Sequence, residues 1–120
     1  GYGRYVEITF IADYLDDCGW VMDFGALKFV KDWLYKQWDH RVLIAPDDPM
    51  LDELNRMNHS GLIHINILPD GYSCSIEDSC RLIYDTLNPM IEARTNKRVK
   101  IYLVKVYEHE NNWAEYKHRN

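Results

Sequence analysis

Ser75-Ile76-Glu77-Asp78-Ser79-Cys80-Arg81-Leu82-Ile83-Tyr84-Asp85-Thr86-Leu87-Asn88-Pro89-Met90-Ile91, turned by Thr95-Asn96-Lys97 into the apolar run Val99 to Tyr107, is the stretch that decides the fold class. Ile76, Cys80, Ile83, Leu87 and Ile91 recur at steps of three and four, the period of one buried helix face. Ser75-Ile76-Glu77-Asp78 resembles a capping box with Asp in the place of the usual Glu or Gln, so the helix starts there. The run from Val99 to Tyr107 is a strand. Asn111-Asn112 then makes a tight connection into a last short strand, Trp113 to Lys117. A long helix followed by two hairpin-connected strands is α+β chemistry.

Working back toward the N-terminus, Val6, Ile8 and Phe10 alternate with Tyr5, Glu7 and Thr9, which predicts a half-buried strand. Asp16-Asp17-Cys18-Gly19 predicts a turn. Asp23 can cap a helix from about Phe24 to Trp38, because its carboxylate can accept the first free backbone N–H groups. Leu27, Val30, Leu34 and Trp38 form its apolar stripe, while Lys28, Lys31, Asp32 and Lys36 face water. Asp39 to Pro46 reads as a loop. Asp48-Pro49 reads as a cap with proline at the first helical position, opening a short helix with Leu51, Leu54 and Met57. Gly61 ends it, and Leu62 to Leu68 reads as a strand. The expected fold is α+β, with two long helices packed on one face of a largely antiparallel sheet, in a single domain spanning 1–120.

The composition narrows the function classes. The 120 residues are 47% hydrophobic and 28% charged, ordinary values for one soluble globular domain. The longest apolar runs are a few residues, far short of the roughly 20 that a spanning helix needs, so no membrane partner is expected. Fourteen basic against nineteen acidic residues leave a net charge of −5. That balance argues against general nucleic-acid binding, whose affinity comes from a basic face. Cys18, Cys74 and Cys80 are an odd number in no metal-binding spacing and read as free thiols. No signal peptide is read at the start of the chain, and the expected location is the cytoplasm.

Two places could carry chemistry. Asp39-His40 lies just beyond a helix C-terminus, whose partial negative charge favours a protonated imidazole. A carboxylate beside a histidine can orient it for proton transfer. The alternative is a helix-terminal surface pair. Glu108 ends the strand Val99 to Tyr107 and could accept paired N–H donors from a ligand; the alternative is a solvated hairpin charge. His59 reads as loop and His64 as sheet surface, and no HxH or HExxH spacing is present.

Gly19-Trp20-Val21-Met22-Asp23-Phe24-Gly25-Ala26-Leu27-Lys28, followed by Trp38-Asp39-His40-Arg41-Val42-Leu43, resembles the 6-pyruvoyltetrahydropterin synthase and 6-carboxytetrahydropterin synthase family. The tail Val104-Lys105-Val106-Tyr107-Glu108-His109-Glu110-Asn111-Asn112 is similar to that family's ending, and Cys74-Ser75-Ile76-Glu77-Asp78 stands where its helix start does. The resemblance implies a tunnelling fold (T-fold), usually a homohexamer, acting as a lyase in tetrahydropterin or queuosine biosynthesis. It implies a 7,8-dihydroneopterin triphosphate substrate, with Glu108 anchoring the pterin ring and Ser75 and the Ile76 backbone at the other ring edge. His40, paired with Asp39, belongs by resemblance to the proton relay. A catalytic Zn(2+) is also implied, held by a histidine on the first strand and a histidine-glycine-histidine motif opening the second. Gly1-Tyr2-Gly3-Arg4 stands where that motif should be, so the zinc ligands are not identifiable in this chain, and the first strand and the nucleophilic cysteine are expected to be missing. The alternative is a non-catalytic pterin- or purine-binding T-fold protein that has lost the zinc site.

Overall fold

The computed structural model describes residues 4–38, 42–61, 64–109 and 111–118. They form two compact units, Gly1–Ala26 with Ser75–Asn120, and Leu27–Cys74. The first unit is built from a strand β1 (Tyr5–Ala12), a helix α3 (Ile76–Arg94) and the strands β4 (Val99–His109) and β5 (Asn112–Lys117). The second holds α1 (Lys28–Trp38), β2 (Val42–Ile44), α2 (Leu51–His59) and β3 (Ile65–Ile67). The class is α+β.

In the first unit the sheet runs in the order β1-β4-β5, and both pairings are antiparallel. The helix α3 packs on β4 and β5. Its expected stripe is the one that is buried: Cys80, Ile83, Leu87 and Ile91 are 0% exposed. Ser75 caps the helix, its Oγ accepting the Asp78 N–H at 3.1 Å, which removes one of the orphan donors of the first turn. The turn after α3 holds Asn96 and Lys97 at positive φ, so the chain reverses there into β4.

β4 carries two irregularities of register. Val99 and Ile101 are buried, then Val104 and Val106. The step from odd to even positions comes from a bulge against β1, where Thr9 pairs with Leu103 but Phe10 pairs with Ile101. Tyr102 is the extra residue. A second irregularity lies against β5, where Tyr107 pairs with Trp113 but His109 with Asn112. The extra residue there is Glu108. Bulges of this kind bend a strand and re-aim a side chain.

In the second unit β2 and β3 pair in parallel, Val42 with Ile65 and Ile44 with Ile67, and the Leu68 N–H donates to the Ile44 carbonyl at 2.9 Å. Val30, Ile44, Ile65 and Leu68 are the buried apolar residues of that unit among those described. The Asn66 amide donates to the Gln37 carbonyl at 3.1 Å and to its side-chain oxygen at 2.7 Å, tying β3 to the end of α1. The segment 39–46 therefore contains a strand, Val42–Ile44, where the sequence reads as loop. Three residues are too few to show a period of two. Asp48 accepts the Met50 N–H at 2.8 Å, and α2 begins at Leu51, so Pro49 sits in the turn ahead of the helix and not in its first position. The Asp23 carboxylate does accept the Gly25 N–H, at 3.0 Å. The turn it starts, Phe24–Leu27, is a 3-10 turn leading into α1.

Candidate functional site

The site grows from the second bulge. A regular strand would leave Glu108 to its alternation, but the bulge sets its carboxylate between β1 and β5. One oxygen, Oε2, accepts the Asn112 amide N–H at 2.7 Å. The other, Oε1, meets the Arg4 guanidinium at 3.4 Å. Arg4 belongs there by register: β1 and β4 pair Tyr5 with Tyr107, and one step further along that ladder Arg4 faces Glu108.

Arg4 continues inward. Its Nη1 donates to the Ser79 Oγ, and Ser79 is 4% exposed. The Ser79 hydroxyl in turn donates to the Ser75 carbonyl at 2.9 Å. A continuous line of hydrogen bonds thus runs from the Glu108 carboxylate through Arg4 and Ser79 to the first turn of α3. Glu108 and Ser75, both expected as ligand contacts, are joined at this end of the sandwich through two residues that sequence reasoning missed. The Ile76 side chain is buried in the core, 5% exposed, which leaves its backbone as the part of it that could meet a ligand. Asp39 and His40 lie outside the described residues.

The line is electrostatically modest and geometrically firm. An ion pair whose side chains are 20% and 41% exposed adds at most about 1 kcal/mol to stability. Its value is orientation. Glu108 keeps its outward side open, and a carboxylate can accept about four hydrogen bonds, so both oxygens retain capacity for further donors. The arrangement suits a ligand edge that presents two parallel N–H groups.

Among the described residues, no three His, Cys, Asp or Glu side chains converge to hold a metal ion. In the stretch where the resemblance places metal ligands, the described residue is Arg4, a permanent cation with donors and no lone pair to offer. The described donor set therefore does not fit zinc. His59 ends α2 instead of lying in a loop, and His64 precedes β3; both are exposed.

The thiols differ in exposure. Cys18 is exposed and Cys80 buried. Burial pushes the Cys80 thiol up to about 11, and it donates to the Ala114 carbonyl at 3.3 Å. A thiol that stays protonated and enclosed is a poor nucleophile. Iodoacetamide at neutral pH is expected to alkylate Cys18 rapidly and to spare Cys80 until the chain is unfolded, as peptide mapping after timed quenching will read.

The family described as 6-pyruvoyl tetrahydropterin synthase matches residues 1–119. The chain belongs to this family. A 6-carboxy-5,6,7,8-tetrahydropterin synthase of Aquifex aeolicus is 30% identical over 118 residues, which are 98% of this chain and 72% of that protein. A protein of the same name from Rickettsia typhi is 37% identical over 49 residues, 40% of this chain and 36% of that one. The crystal structure of an uncharacterized protein of Wolinella succinogenes superposes with a TM-score of 0.79 over 97% of this chain and 77% of that one, at 17% identity. That likeness shows the fold. For a member of the 6-pyruvoyl tetrahydropterin synthase family, the Glu108 end of the sheet is where the described residues gather a carboxylate, a guanidinium, a hydroxyl and an amide. No helix among the described residues is long and apolar enough to cross a membrane.

Proposed function

We propose that this chain is a pterin synthase-like lyase acting on 7,8-dihydroneopterin triphosphate, forming a 6-pyruvoyl- or 6-carboxy-tetrahydropterin. The observation that carries the reading is the Glu108 carboxylate, set on a bulge and held from both sides by Arg4 and Asn112. In this reading its two oxygens accept the 2-amino and ring N–H groups of the pterin, and the first turn of α3, with Ser75 and the Ile76 backbone, borders the other ring edge. His40, oriented by Asp39, moves the protons of the substrate side chain as triphosphate leaves. Among the described residues β1 and β5 have no further strand beside them, which supports a homo-oligomer, proposed as a hexamer of single T-fold domains in the cytoplasm.

One observation favours a second reading, a pterin- or purine-binding protein without catalysis. It is the guanidinium of Arg4 in the stretch where the resemblance puts metal ligands. Incubating the full-length protein with dihydroneopterin triphosphate and added zinc separates the two. Consumption of substrate with release of triphosphate is the result expected of the lyase, and tight pterin binding with no consumption would leave the second reading standing. Under either reading Glu108→Gln, which exchanges one acceptor for a donor, is expected to weaken pterin binding about tenfold, ~1.4 kcal/mol. Unchanged affinity in that variant would remove Glu108 as the anchor.

A further inference from the structure

Arg4 is the member of the site that no motif singled out, and its geometry gives it a definite task. Glu108 stands at a strand end with its side chain 41% exposed. A glutamate so placed samples several rotamers, and a ligand that needs one of them must order it on binding. Arg4 is differently placed. Its side chain is 20% exposed, and its Nη1 is committed to Ser79. Ser79 is itself 4% exposed and fixed to the Ser75 carbonyl. A guanidinium is planar and its N–H directions are rigid. Pinning one nitrogen on the first turn of α3 therefore fixes the direction from which the other meets the Glu108 carboxylate. Asn112 holds the second oxygen from the β5 side at 2.7 Å.

We propose that Arg4 is a positioning residue for the Glu108 anchor, carrying the frame of the first turn of α3 across to the carboxylate so that its oxygens are oriented before a ligand arrives. The proposal rests on the reading of Glu108 as the anchor for a 2-amino-4-oxo pterin edge. It makes the ion pair a device for binding and not for stability. A lysine cannot replace it, because one ammonium on a flexible stem keeps the charge and loses the rigid fork that meets Ser79 and Glu108 together.

The test is a double-mutant cycle on the full chain, with unsubstituted pterin as the probe and its fluorescence as the readout. Ordering one long side chain accounts for a loss of about fivefold in affinity, and Arg4→Met is expected to show it in the otherwise native chain. In a Glu108→Ala background the same change is expected to cost nothing further, because there is no side-chain oxygen left to position. A role confined to folding gives equal losses in both backgrounds, and that result overturns the proposal, as does an Arg4→Met chain that binds pterin like the native one. If Glu108→Ala alone binds pterin normally, the anchor reading itself has failed and the proposal goes with it, an outcome distinct from the other two. Should Arg4→Met not fold, Ser79→Ala serves in its place: it leaves the Arg4–Glu108 pair and frees the guanidinium. Affinity is expected to fall two- to threefold, about half of that ordering cost, in the native background only, and equal losses in both would again overturn the proposal.

Discussion

Ile83→Ala is expected to destabilise the protein by about 2–5 kcal/mol. Ile83 lies mid-way along the buried stripe of α3, is 0% exposed, and faces a sheet whose Val104 and Val106 are 0% exposed as well. Removing three carbons there loses their transfer free energy. It also leaves a cavity that close-packed neighbours cannot fill without leaving their rotamers. Total stabilities of small domains are about 5–15 kcal/mol, so a single truncation can consume a third of the total. Chemical denaturation should show a lower midpoint with an unchanged slope, since the surface exposed on unfolding barely alters. Phe24→Ala is the control. Phe24 is just as apolar but 89% exposed, and its truncation is expected to change stability by no more than about 0.5 kcal/mol. Comparable losses at the two positions would mean that α3 is not the core element of its unit.

The contrast between those positions explains what could be read from the sequence. α3 and the strands after it are legible because each is long enough to display its period, and because Ser75 and the Asn111-Asn112 turn mark their ends by local chemistry. In the second unit β3 falls within the run Leu62 to Leu68 that reads as a strand, whereas β2 and the parallel pairing of the two are not legible. Each strand has three residues, and what makes them strands is a parallel partner more than twenty positions away, which no local pattern announces. The bulge at Tyr102 left a trace in the order of apolar residues, where Val99 and Ile101 give way to Val104 and Val106. A strand that keeps its period does not do this. Glu108 was legible as a candidate through its place at a strand end. Its partners were not, because Arg4 and Ser79 are separated from it by 104 and 29 positions and meet it only through the β1–β4 register and the packing of α3. The usable signal was the register itself: an arginine one step before a strand that pairs with β4 must end up opposite residue 108. Asp39 and His40, legible as a motif, lie outside the described residues.

The other large effect belongs to Asn88, where the bulge, the helix and a proline meet. The Tyr102 bulge interrupts the ladder between β1 and β4, and the Ile101 N–H on its flank donates instead to the Asn88 side-chain oxygen at 2.8 Å. Asn88 is 9% exposed, and its amide donates onward to Glu92 at 3.3 Å. It also precedes Pro89 inside α3. A residue before proline is pushed away from helical dihedrals, and the proline removes one helical N–H. The bond from Ile101 therefore does two things, satisfying a buried strand donor and holding the helix at the point where its own backbone is least inclined to continue. Asn88→Ala leaves that donor buried without an acceptor and opens a small void. The expected loss is about 2–3 kcal/mol. Asn88→Asp keeps an acceptor for Ile101 but sets a carboxylate against Glu92, whose oxygen the Asn88 amide meets at 3.3 Å. It is therefore made together with Glu92→Gln, and hydrogen exchange at the Ile101 amide then separates the causes. Fast exchange in Asn88→Ala with protection retained in Asn88→Asp with Glu92→Gln locates the loss in that one bond. Equal exchange in both variants would place it in the helix around Pro89 instead.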